Sequence, residues 1–192
     1  MSEREKLLKG EIYNSRDPEL IEMYHRAKEI LREWASLSTR DGEKRLGLLS
    51  DLLGKVGKGV WIEAPFYCDY GKHVFIGENT FINTGAVFLD CNKIEIGSNV
   101  LIGPHVQIYT VTHPLEADER IKSSASPNEA TYLTRALPVK VGDNTWIGGG
   151  VIIMPGVSIG AGVTVAAGSV VTKDIPNNVL AMGTPAEVIK QL

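Results

Sequence analysis

The sequence predicts a mainly β fold: a parallel β-helix of six-residue repeats, with an N-terminal α-helical cap and a long loop. Three observations carry this prediction: a six-residue period of aliphatic residues, glycines beside them, and a helical pattern confined to residues 1–55. An α-helix repeats near 3.6 residues and an ordinary strand near 2. A period of six instead indicates one short strand and one turn per repeat, with three repeats to each triangular coil.

Aliphatic residues recur every six positions in separate runs. These runs are Ile76, Ile82 and Phe88; Ile96, Ile102 and Ile108; and Val141, Ile147, Ile153, Ile159, Val165 and Val171. Glycine directly follows several of them, as at Gly77, Gly97 and Gly142, because glycine allows turn conformations that other residues resist. A chance pattern in a sheet rich in Val and Ile is the alternative, and the unbroken run disfavours it.

The chain divides into an N-terminal helical cap segment, residues 1–55, and a β-helix domain, residues 56–192. Within the domain, a polar, proline-containing loop over residues 109–138 interrupts the repeat, and a tail over residues 174–192 leaves it. Long loops inside compact folds are uncommon and are usually functional. For the tail we predict a short strand followed by a turn of helix.

Two helices are predicted in the cap segment, because its apolar residues follow steps of three and four. The first begins with Asp17 as the N-cap and Pro18 as the first helical residue. The second covers residues 41–53. Together we expect them to cover the open end of the coils, which would otherwise expose strand edges to other chains.

Composition excludes several classes of function. The formal net charge of −3 argues against nucleic acid as a partner. No apolar stretch approaches the roughly 18 residues of a membrane span, so we expect no membrane partner. Cys68 and Cys91 fit no metal-binding motif and are interpreted as reduced packing residues. We therefore expect a cytoplasmic protein.

Among the four histidines, His113 is the strongest candidate for catalysis. It lies at the root of the long loop in a Thr-His-Pro sequence, and Pro114 restricts its backbone. Histidine titrates near neutrality, which suits a general base. His25 falls within the first predicted helix, and His73 and His105 fall at turns of the repeat. A loop histidine without a function is the alternative for His113.

The sequence contains no motif for a covalent nucleophile, a metal site or a nucleotide-binding glycine loop. If the protein is an enzyme, direct transfer with one base is therefore its simplest mechanism. A rival from another class is a β-helix without catalysis, either a structural subunit or a metal-binding prism. The metal version would need His73, His105 and His113 to converge at a subunit interface, and a metal assay tests it.

Longer motifs add a resemblance to a known family. They are GEIYNSRDPEL near the N-terminus, CDYG at 68–71, LD at 89–90, IYTVTHP at 108–114, VGDNTWIGGG at 141–150, AAGSVVTKDIP at 166–176 and GTPAEVIKQL at 183–192. Through them nearly the whole chain resembles the maltose and galactoside O-acetyltransferases, which are left-handed β-helix enzymes of the hexapeptide acyltransferase group. The CDYG and WIGGG spellings favour the maltose-type branch.

The resemblance implies acetyl-CoA as co-substrate, no required metal, and a homotrimer whose active sites lie between subunits. It implies that His113 is the catalytic base. It also implies acceptor-sugar contacts by Asp17, Asp69, Asn83 and Asp90, and acetyl-CoA contacts by Trp146, Gly149, Ala167, Thr172, Lys173 and Lys190. Asp69 and Gly149 stand where the galactoside enzyme has serine, and the loop is longer than in bacterial sugar enzymes. The maltose-type pattern has a glutamate shortly before the proline that matches Pro138, where this chain has Thr134 and Arg135. The sequence therefore does not identify a carboxylate that orients His113.

These features predict an acetyl-CoA-dependent O-acetyltransferase that acts on a hydroxyl of a maltose-, glucose- or galactoside-type sugar. Another hexapeptide acyltransferase, with serine, an amino sugar or an antibiotic as acceptor, is the alternative, and the N-terminal segment with Tyr13 and Asp17 disfavours it. Apolar residues offset from the six-residue period predict a large subunit interface. The outward candidates are Val100, Val106, Val151 and Ile152.

Overall fold

The computed structural model describes residues 1–123 and 126–192, and it begins with helices. These are α1 (Glu3–Leu8), α2 (Pro18–Ser36) and α3 (Gly42–Leu52). The predicted start of the first long helix is confirmed, because Asp17 is the N-cap of α2 and accepts a hydrogen bond from the Glu19 N–H at 3.0 Å. The helix predicted over 41–53 corresponds to α3. The short α1, which the sequence did not reveal, has a capping box between Ser2 and Glu5.

Short strands follow in regular succession. Up to the interruption they are β1 (Lys55–Val56), β2 (Trp61–Ile62), β3 (Phe66–Cys68), β4 (Val74–Ile76), β5 (Phe81–Ile82), β6 (Ala86–Leu89), β7 (Ile94–Ile96), β8 (Leu101–Ile102) and β9 (Gln107–Tyr109). After it come β12 (Val139–Val141), β13 (Trp146–Ile147), β14 (Ile152–Ile153), β15 (Ser158–Ile159), β16 (Thr164–Val165), β17 (Val170–Val171), β18 (Val179–Gly183) and β19 (Ala186–Gln191).

The strands form three sheets that are the faces of a parallel β-solenoid. The first face has the order β1-β4-β7-β12-β15, the second β2-β5-β8-β13-β16-β18-β19, and the third β3-β6-β9-β14-β17. Each coil contributes one strand to each face, as the six-residue period predicted. In register, Ile76 lies beside Ile96, and Ile96 lies beside Val141, so the repeat residues stack into columns inside the prism.

A second residue of several repeats also points into the interior, which we did not predict. Val100, Val106 and Val151 are fully buried, so the expectation that they face outward is wrong. Each lies two positions before a repeat residue, and side chains two apart in extended chain point to the same side. Ile152, at an odd offset, is half-buried on the outward side of β14.

The helices close the N-terminal end of this core. Trp34 of α2 is fully buried and belongs to the same apolar cluster as the coil interior. The guanidinium of Arg45 lies 4.3 Å from the centroid of the Trp34 ring, and Arg45 also donates to the backbone carbonyl of Ile62 at 3.4 Å. A buried cation is thus satisfied by an aromatic face and by carbonyls at the first coil. No helix in the described ranges is long and apolar enough to cross a membrane.

At the other end, β18 and β19 form an antiparallel hairpin on the edge of the second face. The turn of helix that we predicted for the tail is therefore wrong. Leu180 lies opposite Lys190 and Met182 lies opposite Glu187, so pairing with β18 satisfies the backbone groups that a helix would have bonded internally.

The predicted long loop forms an excursion between β9 and β12, described over residues 110–123 and 126–138. It contains β10 (Val111–Thr112), α4 (Ala117–Arg120) and β11 (Arg135–Ala136), and β10 pairs antiparallel with β11. Asn92, which is buried, holds the excursion to the cap. Its side-chain nitrogen donates to the carbonyls of Leu7 and Ala136, both at 2.9 Å.

At several corners the backbones of successive coils leave no room for a side chain. A Cβ atom at Gly77 would lie 2.5 Å from the carbonyl carbon of Gly97 in the next coil. We expect Gly77→Ala to destabilise the fold by about 1–3 kcal/mol, because the backbones must separate. That loss lowers the melting temperature by roughly 2–4 °C per kcal/mol.

The control is Gly47→Ala in α3, where a Cβ atom meets nothing within 4 Å. Alanine is favoured over glycine in helices, so this variant gains about 0.5–1 kcal/mol. Thermal melts followed by circular dichroism compare the two. A Gly77→Ala protein that melts with the wild type contradicts close packing at the corner.

Candidate active site

A cavity of about 340 Å³ lies where the start of α2, the stem of the excursion and the turn after β3 meet. Four of its eleven lining residues are tyrosines, and the lining has one carboxylate, one guanidinium and one imidazole. The lining residues are Tyr13, Ser15, Arg16, Tyr24, Asp69, Tyr70, Cys91, Val111, His113, Tyr132 and Thr134. Small-molecule sites have this character: concave, largely apolar walls with few polar groups.

His113 is held in one orientation by the far end of the excursion. Its Nδ1 lies 2.8 Å from the backbone carbonyl oxygen of Leu133, and its ring meets the Tyr132 ring edge-on at 5.5 Å between centroids. Because a carbonyl oxygen can only accept, Nδ1 carries a proton, and in the neutral tautomer of this ring the lone pair lies on Nε2. The group that orients the imidazole is therefore a backbone carbonyl.

His113 also borders a second cavity, of about 570 Å³, on the opposite face of the β10–β11 hairpin. Thr112 and Arg135 line this second cavity, whereas their neighbours Val111 and Thr134 line the first. The alternation of side chains along a strand explains this division. An imidazole with a free Nε2 thus lies between two spaces, which is the geometry needed to pass a proton between two bound molecules.

Asp69 supplies the carboxylate of the first cavity. It is half-buried, and burial raises the pKa of its carboxyl group, while the positive charge of Lys28 opposes that rise. Lys28 donates to the Cys68 carbonyl at 2.6 Å and does not form an ion pair with Asp69 in the described part of the chain. The Asp69 carboxyl is therefore open to a ligand.

Asp90 lies beneath the cavity and is fully buried. Its Oδ1 accepts from the N–H groups of Asp69 at 2.8 Å and Tyr70 at 2.9 Å, and its Oδ2 accepts from the His73 N–H at 3.3 Å. Burial raises the pKa of Asp90 to about 7, against the lowering effect of these N–H groups. In this arrangement Asp90 fixes the turn that presents Asp69.

Two of the five residues predicted to act on the acceptor, His113 and Asp69, line the same cavity. Asp17 caps α2, and the side-chain oxygen of Asn83 accepts from the Thr84 N–H at 2.8 Å. With the buried Asp90, these two lie outside the cavity lining within one chain. Sugar contact by Asp17, Asn83 and Asp90 stays a prediction.

The structure adds cavity residues that sequence reasoning missed. Ser15 and Arg16 line the wall just before Asp17, and Cys91 lines it just after Asp90. Each of these is a chain neighbour of a predicted residue, so the motifs indicated the segments that form the cavity wall. Tyr24 comes from α2 and Tyr132 from the excursion. No local pattern marks these two, because only the fold brings them to His113.

The residues predicted to contact acetyl-CoA lie elsewhere on the prism. Trp146, on the second face, is 55% exposed beside Leu101, which is 51% exposed. The remaining residues are Gly149 and Ala167 at turns that follow β13 and β16, Thr172 and Lys173 after β17, and Lys190 on β19. None of the six lines either cavity beside His113 in the described structure.

Other sites are less suited to chemistry. A wide groove of about 750 Å³ on the first face is lined by Glu95, Lys140 and Asp174, among others, and has no histidine or cysteine in its lining. Lys140 pairs with Glu95 at 3.1 Å, so the lysine of that groove is already engaged. Across residues 1–123 and 126–192, no group of three or more His, Cys, Asp or Glu side chains has an arrangement that could hold a metal ion.

Comparison with known proteins identifies the family of the chain. Residues 6–57 match the maltose acetyltransferase hexapeptide capping motif, and residues 138–173 match six repeats of the bacterial transferase hexapeptide. The chain is 35% identical over 188 residues to the galactoside O-acetyltransferase of Escherichia coli K12, which covers 98% of this chain and 88% of that protein.

Solved structures share the fold, and one of them was determined with acetyl coenzyme A. A maltose O-acetyltransferase from Clostridium difficile 630 superposes with a TM-score of 0.92 at 44% identity, covering 100% of this chain and 98% of that one. A hexapeptide-repeat acetyltransferase from Vibrio cholerae, complexed with acetyl coenzyme A, has a TM-score of 0.88 at 39% identity, with 100% and 99% coverage. The chain is therefore an acetyl-CoA-dependent acetyltransferase that belongs to the maltose and galactoside O-acetyltransferase family.

Proposed function

We propose that the enzyme transfers the acetyl group of acetyl-CoA to a hydroxyl of a sugar of the maltose, glucose or galactoside class, with His113 as general base. The observation that carries this proposal is the imidazole itself. Its Nδ1 is committed to the Leu133 carbonyl, and its Nε2 has no hydrogen-bond partner among the described residues. The two cavities on either side of it offer room for two substrates.

The chemistry follows from the protonation state of this imidazole. A sugar hydroxyl is far too weak an acid to ionise at neutral pH, so it needs a base at the moment of attack. Nε2 of His113 takes the hydroxyl proton while the oxygen bonds to the thioester carbonyl carbon. The carbon–sulfur bond then breaks, and the imidazolium returns the proton to the departing CoA thiolate. Backbone N–H groups stabilise the intermediate oxyanion, and Gly149 can contribute only in this way.

The first cavity suits the acceptor. At about 340 Å³ it is near the lower end of the volume range of small-molecule sites, which fits one sugar ring. Tyr24, which is 41% exposed, and Tyr132, which is 37% exposed, offer aromatic faces. Asp69 and Arg16 offer an acceptor and donors for hydroxyl groups. We assign acceptor binding to these four residues in addition to His113.

The positions of the residues proposed to bind acetyl-CoA favour an active site shared between subunits. Trp146 would lie along the pantetheine arm, and Lys173 and Lys190 would face phosphates. Since Trp146 and His113 lie on separate parts of one prism, acetyl-CoA bound at the second face of one subunit reaches His113 of a neighbour. We therefore propose a homotrimer with active sites between subunits. The exposed apolar ladder Trp61, Leu101 and Trp146 supports a buried face there.

We also place the enzyme in the cytoplasm. Cys68 and Cys91 are both free and buried, and unpaired thiols suit a reducing compartment. The acceptor itself is tested by measuring CoA release with a panel of mono- and disaccharides. Serine, an amino sugar and an antibiotic are included in the panel, and transfer to one of these alone refutes the sugar assignment.

Loss of the base should abolish turnover. Removing a positioned general base typically costs roughly 10²–10⁴-fold in rate. We expect His113→Ala to lose about that much kcat while acetyl-CoA binding, measured by calorimetry, stays near the wild-type value. His105→Asn is the control. His105 has a φ of +59°, and Asn79, Asn99 and Asn144 adopt the same conformation at other turns of the coil. A His113→Ala enzyme that retains most of its turnover refutes the assignment.

Mixed oligomers test the shared site. We expect His113→Ala and Trp146→Ala chains to be nearly inactive alone. The two chains are co-expressed in equal amounts, with different affinity tags that verify co-assembly. The unselected mixture should have about a quarter of the wild-type activity, because half of the subunits supply an intact His113 and half of their neighbours supply an intact Trp146. If His113 and Trp146 of the same subunit form one site, the mixed oligomers stay inactive, and the proposed arrangement is wrong.

A further inference from the structure

The floor of the first cavity contains a thiol and a carboxylate in contact. Cys91 Sγ lies 3.6 Å from Oδ2 of Asp69, within reach of a weak S–H hydrogen bond. Both residues line the cavity, Cys91 being 7% exposed and Asp69 half-buried. Cys91 was expected only to pack. Its contact with the one carboxylate in the cavity gives it a polar role as well.

The backbone on both sides of Cys91 is fixed. Asp90 accepts three backbone N–H groups of the turn that carries Asp69. Asn92 donates to carbonyls of α1 and β11, and its N–H donates to Thr110 Oγ1 at 2.8 Å. A residue between two such anchors cannot shift, so the thiol meets Asp69 in a set position.

The same anchors fix Asp69, since its own N–H donates to Asp90 Oδ1 at 2.8 Å. The side chain then keeps two rotatable bonds, Cα–Cβ and Cβ–Cγ, and the second sets the rotation of the carboxyl group. Contact with Cys91 Sγ determines that rotation by holding Oδ2. Oδ1 has no hydrogen-bond partner among the described residues and belongs to a side chain that is open to the cavity.

We propose that Cys91 is a positioning residue for acceptor binding: its thiol donates to Oδ2 of Asp69 and thereby presents Oδ1 to a hydroxyl of the acceptor. The inference rests on the proposed function, because it assigns Asp69 to the acceptor. This role also restricts which side chains can replace Cys91. A second carboxylate in place of the thiol would repel Asp69, whereas an alkyl group would leave the carboxyl free to turn.

Charge and burial agree with this role. Burial raises the pKa of Cys91, and the nearby Asp69 carboxylate raises it further, so the sulfur is a protonated donor at neutral pH. In the other direction, the Cys91 thiol lowers the pKa of Asp69 against the effect of burial, because a hydrogen bond to the charged form favours that form.

Variants at position 91 separate hydrogen bonding from packing. Cys91→Ala removes both, Cys91→Val keeps an apolar side chain of similar size, and Cys91→Ser keeps a donor. Losing a net hydrogen bond should raise the KM for the acceptor about 3- to 10-fold in the Ala and Val variants. In Cys91→Ser the increase in the acceptor KM should be smaller, because the hydroxyl is still a donor. The KM for acetyl-CoA and the kcat should change less than about 2-fold. If the acceptor KM of Cys91→Val equals that of the wild type, the side chain at position 91 only fills space, and the proposal is overturned.

The pH profile adds a readout that packing does not move. Without the thiol donor the pKa of Asp69 rises, so the acid limb of kcat/KM for the acceptor should move to higher pH in Cys91→Val. In an Asp69→Asn background the same substitution should have no further effect on the acceptor KM. An unshifted limb, or additive effects of the two substitutions, contradicts positioning through Asp69.

A third measurement needs no acceptor. Iodoacetamide labels thiolates, and mass spectrometry resolves Cys91 from the more deeply buried Cys68 as an internal reference. Removing the neighbouring carboxylate should lower the pKa of Cys91, so Asp69→Asn should speed labelling of Cys91 severalfold at pH 8. Equal rates overturn the thiol–carboxylate contact. If no sugar is acetylated by the wild type, the proposed function fails while this arm still judges the contact.

Discussion

Backbone-to-backbone contact at the corners of the coils is the constraint on which the rest of the structure depends. At Gly77, as at Gly103 and Gly148, a Cβ atom would lie 2.5 Å from a backbone atom of the next coil. The coils therefore stack at one fixed spacing, and the aliphatic columns inside meet in register. A rigid prism follows, and any segment that leaves a corner starts from a fixed point.

The active site uses that rigidity through three consecutive residues at the end of β6. Asp90 bonds inward to the turn that carries Asp69, Asn92 bonds outward to α1 and β11, and Cys91 between them faces the cavity. The buried carboxylate and amide are satisfied by backbone groups, which is why their burial is tolerated. The cap, the excursion and the coil thus share one junction, and the cavity lies over it.

The excursion orients His113, the proposed general base. His113 leaves the prism on β10, and the chain returns on β11 so that Leu133 can accept from Nδ1 and Tyr132 can support the ring. A backbone carbonyl does here what a carboxylate does in many other sites: it sets the tautomer. The carbonyl brings no formal charge to the imidazole, which lies between two cavities.

The sequence by itself determined the period of six, the start of α2 at Asp17 and the interruption after Ile108, because each is a local pattern of spacing or motif. It also singled out His113 and Asp69, which line the same cavity. Two sequence predictions were wrong. The tail pairs as a strand with β18 and does not form a helical turn. Val100 points inward, because side chains two positions apart in a strand lie on the same side. Only the tertiary structure decided that Cys91 lines the cavity beneath which Asp90 is buried, and that Tyr24 and Tyr132 join His113. Those contacts join residues far apart in the chain, and which side of a turn faces a cavity depends on neighbours that no local spacing encodes.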